Sequence, residues 1–416
     1  MTTPKTLREA SCADDYDPDS MAVDKARALI REFLTPVSAI ERVHIRQALD
    51  RVLAGDIMSP LAVPGHDNSA MDGWAVRFAD LAPDAETPLR RVGQSFAGKP
   101  AAGGIGPGET VRIFTGGVMP PGADTVVMQE RATETADGVR IHPGSVTNAG
   151  QNRRFAGEDL KAGQLVFKRG QPLRPAEIGM LASLGINEVG VYRRLRVAFF
   201  STGDELRSIG TTLAEGEIYD SNRYTLFGML ARLNCETLDM GVIPDVPEEL
   251  EAAFATAAAN ADVVITSGGV SVGEADFVKA LLDRLGEVLF WKIAMKPGRP
   301  LAYGRIGNAQ FFGLPGNPVS VMVTFYQFVR DALLVLQGRT EVAPQPLFKA
   351  RLGKPIRKAP GRTEFQRGIL TRGDDGRWSV CTTGDQGSGI LSSMSQANCF
   401  IVLGTDTGNV AAGEDV

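Results

Sequence analysis

Two glycine-rich corners and the basic segment between them carry the residue types most suited to chemistry. Asp262 to Thr266 is a short, mostly apolar, β-branched run that stops at Ser267-Gly268-Gly269, as a buried strand entering a loop would. Ser271-Val-Gly-Glu274 then fits a capping box, and Ala275 to Leu285 has helical apolar spacing at Phe277, Val278, Leu281, Leu282 and Leu285. The second corner, Phe311-Phe-Gly-Leu-Pro-Gly-Asn-Pro318, leads into an apolar helix over Val319 to Leu336, with Asn317 as N-cap and Pro318 in the first turn. A helix start offers free N–H groups to an anion, and glycines such as Gly316 let a ligand approach the main chain. A tight turn with ordinary caps has the same signature. Between the corners, period-two spacing over Val288 to Lys296 puts Lys292 and Lys296 on one face. With Arg299 they read as a cationic rim for an anionic ligand, or else as a solvated strand end.

The elements that position these groups also deliver carboxylates. Arg196 to Phe200 reads as a strand running into Ser201-Thr-Gly-Asp-Glu205, and Ile218 to Asn222 caps a helix over Arg223 to Leu233. Leu238 to Ile243 is the next strand and delivers Asp245. Glu205, Asp245 and Asp276 thus follow strands at the carboxyl edge of an α/β sheet, where such sheets bind ligands. Two carboxylates near ~4 Å repel by about 4 kcal/mol at an effective dielectric of about 20, so a cluster requires lysine, a metal or a raised pKa. Lys292, Lys296 and magnesium meet that requirement.

The 416 residues suffice for about three domains, and 43% hydrophobic with 22% charged is ordinary for a globular chain. A net charge of -5 argues against nucleic acid as main partner. Cys12, Cys235, Cys381 and Cys399 form no C-x-x-C pair, and His44, His66 and His142 leave little for transition-metal ligation. A catalytic metal is therefore expected to be magnesium, held by carboxylates and substrate phosphate. Without a basic start followed by an apolar core, or an apolar run of spanning length, the expectation is a cytoplasmic protein with no membrane contact.

Along the chain, Met1 to Ser20 reads as an acidic disordered tail, and Ala22 to Leu34 and His44 to Leu53 as helices. His66-Asp-Asn-Ser-Ala-Met-Asp-Gly-Trp-Ala75 is a polar loop with hydrogen-bonding capacity. Gly93 to Pro143 breaks into short β-type runs, which marks a β-rich module. Pro175 to Gly185 reads as a helix, and short strands resume from Phe348 to the end.

TSGGVSVGEAD (266 to 276), KPGRP (296 to 300) and GLPGNPVS (313 to 320) resemble the molybdopterin molybdenumtransferases, the molybdenum insertases whose animal relative is the gephyrin E domain. The stretches HDNSAMDGWA, TGGVMPPGAD (115 to 124), RRFAGED (153 to 159), PGRTEFQR (360 to 367) and TTGDQGS (382 to 388) extend the resemblance over nearly everything after the tail. Trp74 stands where the family has tyrosine, and the chain stops at Gly413-Glu-Asp-Val416 where relatives commonly run further.

The resemblance implies an α/β and β multidomain fold. Its parts are an α/β linker region (21–58 and 160–194), an elongated β-rich domain (59–159), a three-layer α/β molybdopterin-binding domain (195–340) and a C-terminal β-barrel (341–416). It implies catalytic roles for Asp72, Thr115, Glu205, Asp245 and Asp276, with Asp159 a weaker candidate, and magnesium on Glu205, Asp245 and Asp276. Ser267, Gly268, Gly269, Ser271, Lys292, Lys296, Gly316, Asn317, Arg367 and Ser388 would bind pterin phosphate and molybdate. The implied reaction inserts molybdate into adenylylated molybdopterin with release of AMP, in a homodimer. The molybdopterin adenylyltransferase and apo-molybdoenzymes would be further partners. A non-catalytic scaffold and a tungstate-preferring insertase stay open at this level. A competence-damage type of hydrolase is disfavoured by the motifs outside the shared domain.

Overall fold

The computed structural model describes residues 20–269 and 276–416, with the side chains of residues 276–279 and of Phe290 outside that description. The tail read over 1–20, save Ser20, and the capping box at Ser271 to Glu274 lie outside the described residues. Two compact units divide the chain. One holds the described residues of Met1–Ala54 with Gly170–Arg174 and Val189–Val416; the other holds Gly55–Arg169 and Pro175–Glu188.

The first unit is built on a mixed six-stranded sheet. Its strands are β1 (Arg196–Thr202), β2 (Glu236–Ile243), β3 (Val263–Ser267), β4 (Gly286–Lys292), β6 (Pro300–Ile306) and β7 (Ala309–Leu314), in the order β2-β1-β3-β7-β6-β4. The first four in that order run parallel; β6 pairs antiparallel with β7, and β4 antiparallel with β6. Period two explains why β1, β3 and β7 read as unbroken apolar runs: both faces are covered. Val197, Phe199, Val263, Ile265, Phe312 and Leu314 belong to one core, which includes Leu226, Met229 and Leu230 of helix α2 (Ser221–Arg232). Ala198, Phe200, Val264 and Phe311 belong to the other, with helices α3 (Pro247–Asn260) and α4 (Asp276–Leu285). Helix α1 (Val23–Glu32) joins the first core through Val23, Ala26, Leu29 and Ile30, the amphipathic spacing that the sequence predicts.

Helix α5 (Pro318–Leu336) starts with Pro318 at N1 and contains a π segment, Phe325–Val329. It is long and apolar enough to cross a membrane, which the sequence reading had not found, but 67% of its apolar window is buried within the unit. Val319, Val323, Phe328 and Leu336 sit in the sheet core, which accounts for its composition.

The strand read over Val288 to Lys296 is two pieces. β4 ends at Lys292, while β5 (Met295–Lys296) pairs with Thr363 and Glu364 in another sheet. At the break the Ile293 N–H donates to Arg299 O (2.6 Å) and the Ala294 N–H to Met21 O (2.7 Å), so the backbone leaves the first ladder with its donors satisfied. One-strand periodicity therefore does not relate the two lysines. The helix read over His44 to Leu53 is also replaced: Ile40–His44 is a strand, followed by one short turn, Ile45–Gln47. Asp50 at φ 59 ends that turn in a left-handed conformation that helices do not continue.

The C-terminal segment contributes β8 (Arg351–Leu352), β9 (Thr363–Arg372), β10 (Trp378–Thr382), helix α6 (Leu391–Gln396) and β11 (Cys399–Leu403). With β5 they make a five-stranded sheet whose side chains Leu352, Ile356, Val380, Ile401 and Leu403 form a small core.

The second unit carries a six-stranded sheet from Gly73–Val76, Thr87–Ser95, Glu109–Ile113, Thr125–Met128, Ala132–Thr135 and Gly138–Ile141. Alternation places Trp74 and Val76 in one small core and Ala75 in another. Glycine is needed at Gly73, because a Cβ there would stand 1.9 Å from Val127 O.

Candidate active site

The two glycine corners meet. β3 and β7 are parallel neighbours, with Ser267 opposite Leu314, and the Gly268 N–H donates to Leu314 O at 3.1 Å. Gly268 has φ +95, and a Cβ there would lie 2.4 Å from Thr202 O, so the position accepts only glycine. Gly269 (φ +67) continues the turn beside the Thr202 hydroxyl. That hydroxyl is buried without a hydrogen-bond partner among the described residues. Ser267 is buried at the end of β3, whereas Gly316 and Asn317 are exposed. Asn317 occupies the N-cap position of α5 in an extended conformation, yet its side chain makes no cap hydrogen bond.

The sheet edge holds the acidic candidates of this unit. Glu205 is exposed after β1, with its carboxylate folded over Gly203, where a Cβ would be 2.6 Å from Oε2. Asp245 is exposed after β2, and its N–H donates to Asp204 Oδ1 at 3.4 Å. Asp276 opens α4, its side chain outside the description, and Ser271 is likewise outside. Among the described residues no three His, Cys, Asp or Glu side chains gather closely enough to hold a metal.

The cationic candidates come from two sheets. Lys292 is exposed at the end of β4. Lys296, in β5, stands 3.7 Å from the carboxylate of Glu364, which is only 6% exposed and also accepts from Gln366 Nε2 at 2.8 Å. On the same strand β9, Arg367 is 1% exposed. Its Nε donates to Ser393 Oγ (2.9 Å) and its Nη2 to Gly387 O (3.0 Å). Desolvation alone pushes the Arg367 pKa down, because no carboxylate pairs with it among the described residues. Ser388 follows Gly387 and accepts the Val319 N–H on its carbonyl at 3.0 Å, which seats this loop on the first turn of α5. Arg367 is thus linked to the first turn of α5 through the backbone of Gly387 and Ser388.

Asp72 and Thr115 lie in the second unit and meet there. Asp72 Oδ1 accepts from both the Thr115 N–H and the Thr115 hydroxyl, each at 2.8 Å. The backbone bond first, and the hydroxyl bond next, hold the Asp72 carboxyl below the usual range. Asp67 in the same motif accepts the Ala156 N–H at 2.7 Å and pairs with Arg153, so the HDNSAMDGWA and RRFAGED stretches are tied together. Asp159 is exposed on that second stretch. Trp74 is 2% exposed, with the Arg112 guanidinium 5.1 Å from its ring centre.

Sequence reasoning missed Glu364, although it stands inside the quoted TEFQR run, and Asn222, which it took only as part of a helix cap. Asn222 reaches both corners, donating from Nδ2 to Ser267 Oγ (2.8 Å) and to Gly316 O (2.6 Å).

A doubly covered α/β sheet with two glycine corners, a β-rich unit and a C-terminal sheet defines a multidomain α/β protein. Family models match in chain order: the MoeA N-terminal region (domain I and II) over residues 21–185, a probable molybdopterin binding domain over 198–335, and the MoeA C-terminal region (domain IV) over 349–416. The chain is 47% identical over 396 residues to a molybdopterin molybdenumtransferase of Haemophilus influenzae, covering 95% of this chain and 97% of that one. A relative of the same description from Nostoc sp. is 37% identical, covering 90% and 87%. A crystal structure of a molybdopterin biosynthesis MoeA protein from Pyrococcus horikoshii superposes with a TM-score of 0.81 at 30% identity, covering 96% and 99%. The chain belongs to the MoeA family of molybdopterin molybdenumtransferases.

Proposed function

We propose that this chain inserts molybdate into molybdopterin as a step of molybdenum cofactor biosynthesis, the activity for which its relatives are named. The observation that carries the reading is Arg367: a buried guanidinium held by a hydroxyl and a carbonyl, with no carboxylate to neutralise it among the described residues. Such a cation keeps its affinity for an oxyanion, and its planar donors suit molybdate. Ser388, Lys296 and Lys292 would complete the molybdate and phosphate contacts, with the glycine corners at Ser267 to Gly269, Ser271, and Gly316 to Asn317.

The pterin would arrive adenylylated. A water oxygen would attack the adenylyl phosphorus and lose its proton to solvent. The bridging P–O bond would break, and AMP would depart while the pterin keeps its terminal phosphate, with developing charge met by the lysines. Glu205, Asp245 and Asp276 would position that oxygen or hold magnesium. Glu205 and Asp245 present exposed carboxylate oxygens, which fit a hard cation that shares substrate phosphate and water. When bound, magnesium would neutralise phosphate charge. Asp72 and Thr115 would contribute a fixed carboxylate and hydroxyl pair to catalysis, and the enzyme would be a homodimer. Exposed Ile209, Ile218, Tyr219, Tyr224 and Phe227 support a homodimer by leaving apolar surface around α2. We place the enzyme in the cytoplasm, with a C-terminal sheet that curls toward a barrel, and with the adenylyltransferase and apo-molybdoenzymes as protein partners.

The test is AMP release from adenylylated molybdopterin with magnesium, with and without molybdate, followed by activation of an apo-molybdoenzyme. Molybdate-dependent release with activation is expected. Tight pterin binding without turnover would overturn the enzymatic reading in favour of a scaffold.

A further inference from the structure

We infer that Asn222 is a positioning residue that sets the spacing of the two glycine corners and orients the Ser267 hydroxyl toward an anionic ligand. The inference rests on the reading of those corners as the phosphate site. Asn222 is 6% exposed in the first turn of α2, one residue after the first helical position. Its place is set by Asp220, the buried N-cap, whose Oδ1 accepts the Arg223 N–H (3.2 Å) and the Ser201 hydroxyl (3.0 Å). Asp220 thus joins α2 to β1 through Ser201, and Asn222 joins α2 to β3 through Ser267.

The direction of the bonds is determined by chemistry. Gly316 O only accepts, so the atom 2.6 Å from it must be the amide nitrogen. The second amide proton is then available for Ser267 Oγ at 2.8 Å. A serine oxygen that accepts this bond keeps its own proton to donate, which is the polarity that phosphate or molybdate oxygens require. The same amide joins the side chain of one corner to the backbone of the other. Those corners pack closely, since a Cβ on Gly316 would lie 3.9 Å from Gly268 Cα. Asn222 Oδ1 remains buried with no partner among the described residues. A buried acceptor left unsatisfied costs stability, so an apolar residue would serve better if fold stability were the sole demand.

The experiment compares equilibrium binding of AMP to the full chain for the parent, Asn222→Asp and Asn222→Ala between about pH 5.5 and 8.5, with thermal unfolding measured alongside. Aspartate keeps the shape but, when ionised, cannot donate to Gly316 O or Ser267 Oγ and adds negative charge beside the ligand. Relative to the parent at each pH, Asn222→Asp is expected to bind AMP about tenfold or more weakly at the alkaline end and to recover in part at the acid end, where the protonated acid can donate one of the two bonds. Asn222→Ala is expected to be weakened by a similar factor at every pH. Parent-like affinity in Asn222→Asp at the alkaline end, a pH-independent loss that merely follows its unfolding temperature, or no AMP binding by the parent would each overturn the inference. A parent that binds AMP but fails to release it from adenylylated molybdopterin would instead sink the functional reading and leave the role of Asn222 standing.

Discussion

The Lys296 ammonium stands 3.7 Å from the carboxylate of Glu364, a pairing in which the lysine side chain is 53% exposed and the glutamate only 7%. The lysine proposed to meet an oxyanion is thus already faced by a buried negative charge, and any anion must compete with it. Glu364→Gln removes the competitor and keeps a partner for Gln366. Because solvent screens the pair, its worth is under about 1 kcal/mol, and the half-saturating molybdate concentration should fall by about threefold with little change in unfolding temperature. A higher molybdate requirement in the variant would show that Glu364 holds Lys296 in place instead of competing for it.

Arg367→Ala combined with Ser388→Ala should raise the molybdate requirement by about tenfold or more while pterin binding persists, because a buried charge-assisted donor set is lost. Separate titrations of molybdate and of the pterin nucleotide check this. Equal molybdate dependence in variant and parent would remove the proposed oxyanion site.

Thr115→Val deletes the hydroxyl donor to Asp72 and retains the backbone donor. The Asp72 pKa lies below its ordinary value, so the carboxylate is present above that depressed pKa and is lost as pH falls through it. The variant should move this acid limb to higher pH, measured by carboxyl NMR titration and by the pH profile of AMP release. An unmoved Asp72 titration would mean that the hydroxyl bond is dispensable.

Asp262 bears on stability. Its carboxylate takes two bonds from Arg193 (2.7 and 2.6 Å) and one from the Arg196 N–H (2.9 Å). Burial pushes its pKa up, but the Arg193 and Arg196 donors together outweigh burial and leave it lowered. The stabilisation is therefore complete above the unfolded pKa and lost as pH drops through the folded one. Asp262→Asn should cost about 2 kcal/mol near neutral pH and flatten the acid side of the stability profile, read by urea unfolding.

If Asp276 acts at the phosphate as proposed, Asp276→Asn should leave unfolding unchanged and slow AMP release by about tenfold or more. Unchanged turnover would take Asp276 out of the mechanism.

Much of the fold was legible in local pattern. β1, β3 and β7 appear as apolar runs because both their faces are covered, and α1 shows its buried stripe directly. The helix expected over His44 to Leu53 does not form, because the chain enters this stretch as the strand Ile40–His44 and turns left-handed at Asp50, a conformation the sequence does not display. The single strand read through Lys296 failed for a different cause. Alternation continues across a break when each half pairs with a different sheet, so periodicity could not see β5 leave for Thr363 and Glu364.

Short-range chemistry decided the strand ends at the corners, the proline start of α5, the placing of Glu205 and Asp245 after their strands and, through its motifs, the family, since each of these depends on neighbours within a few residues. Tertiary structure decided which of those groups meet: Lys296 with Glu364, Arg367 with Ser393 and Gly387, Asp72 with Thr115, and Asn222 with both corners. These partners are far apart along the chain. Their contact is set by sheet order and core packing, to which no local propensity gives access.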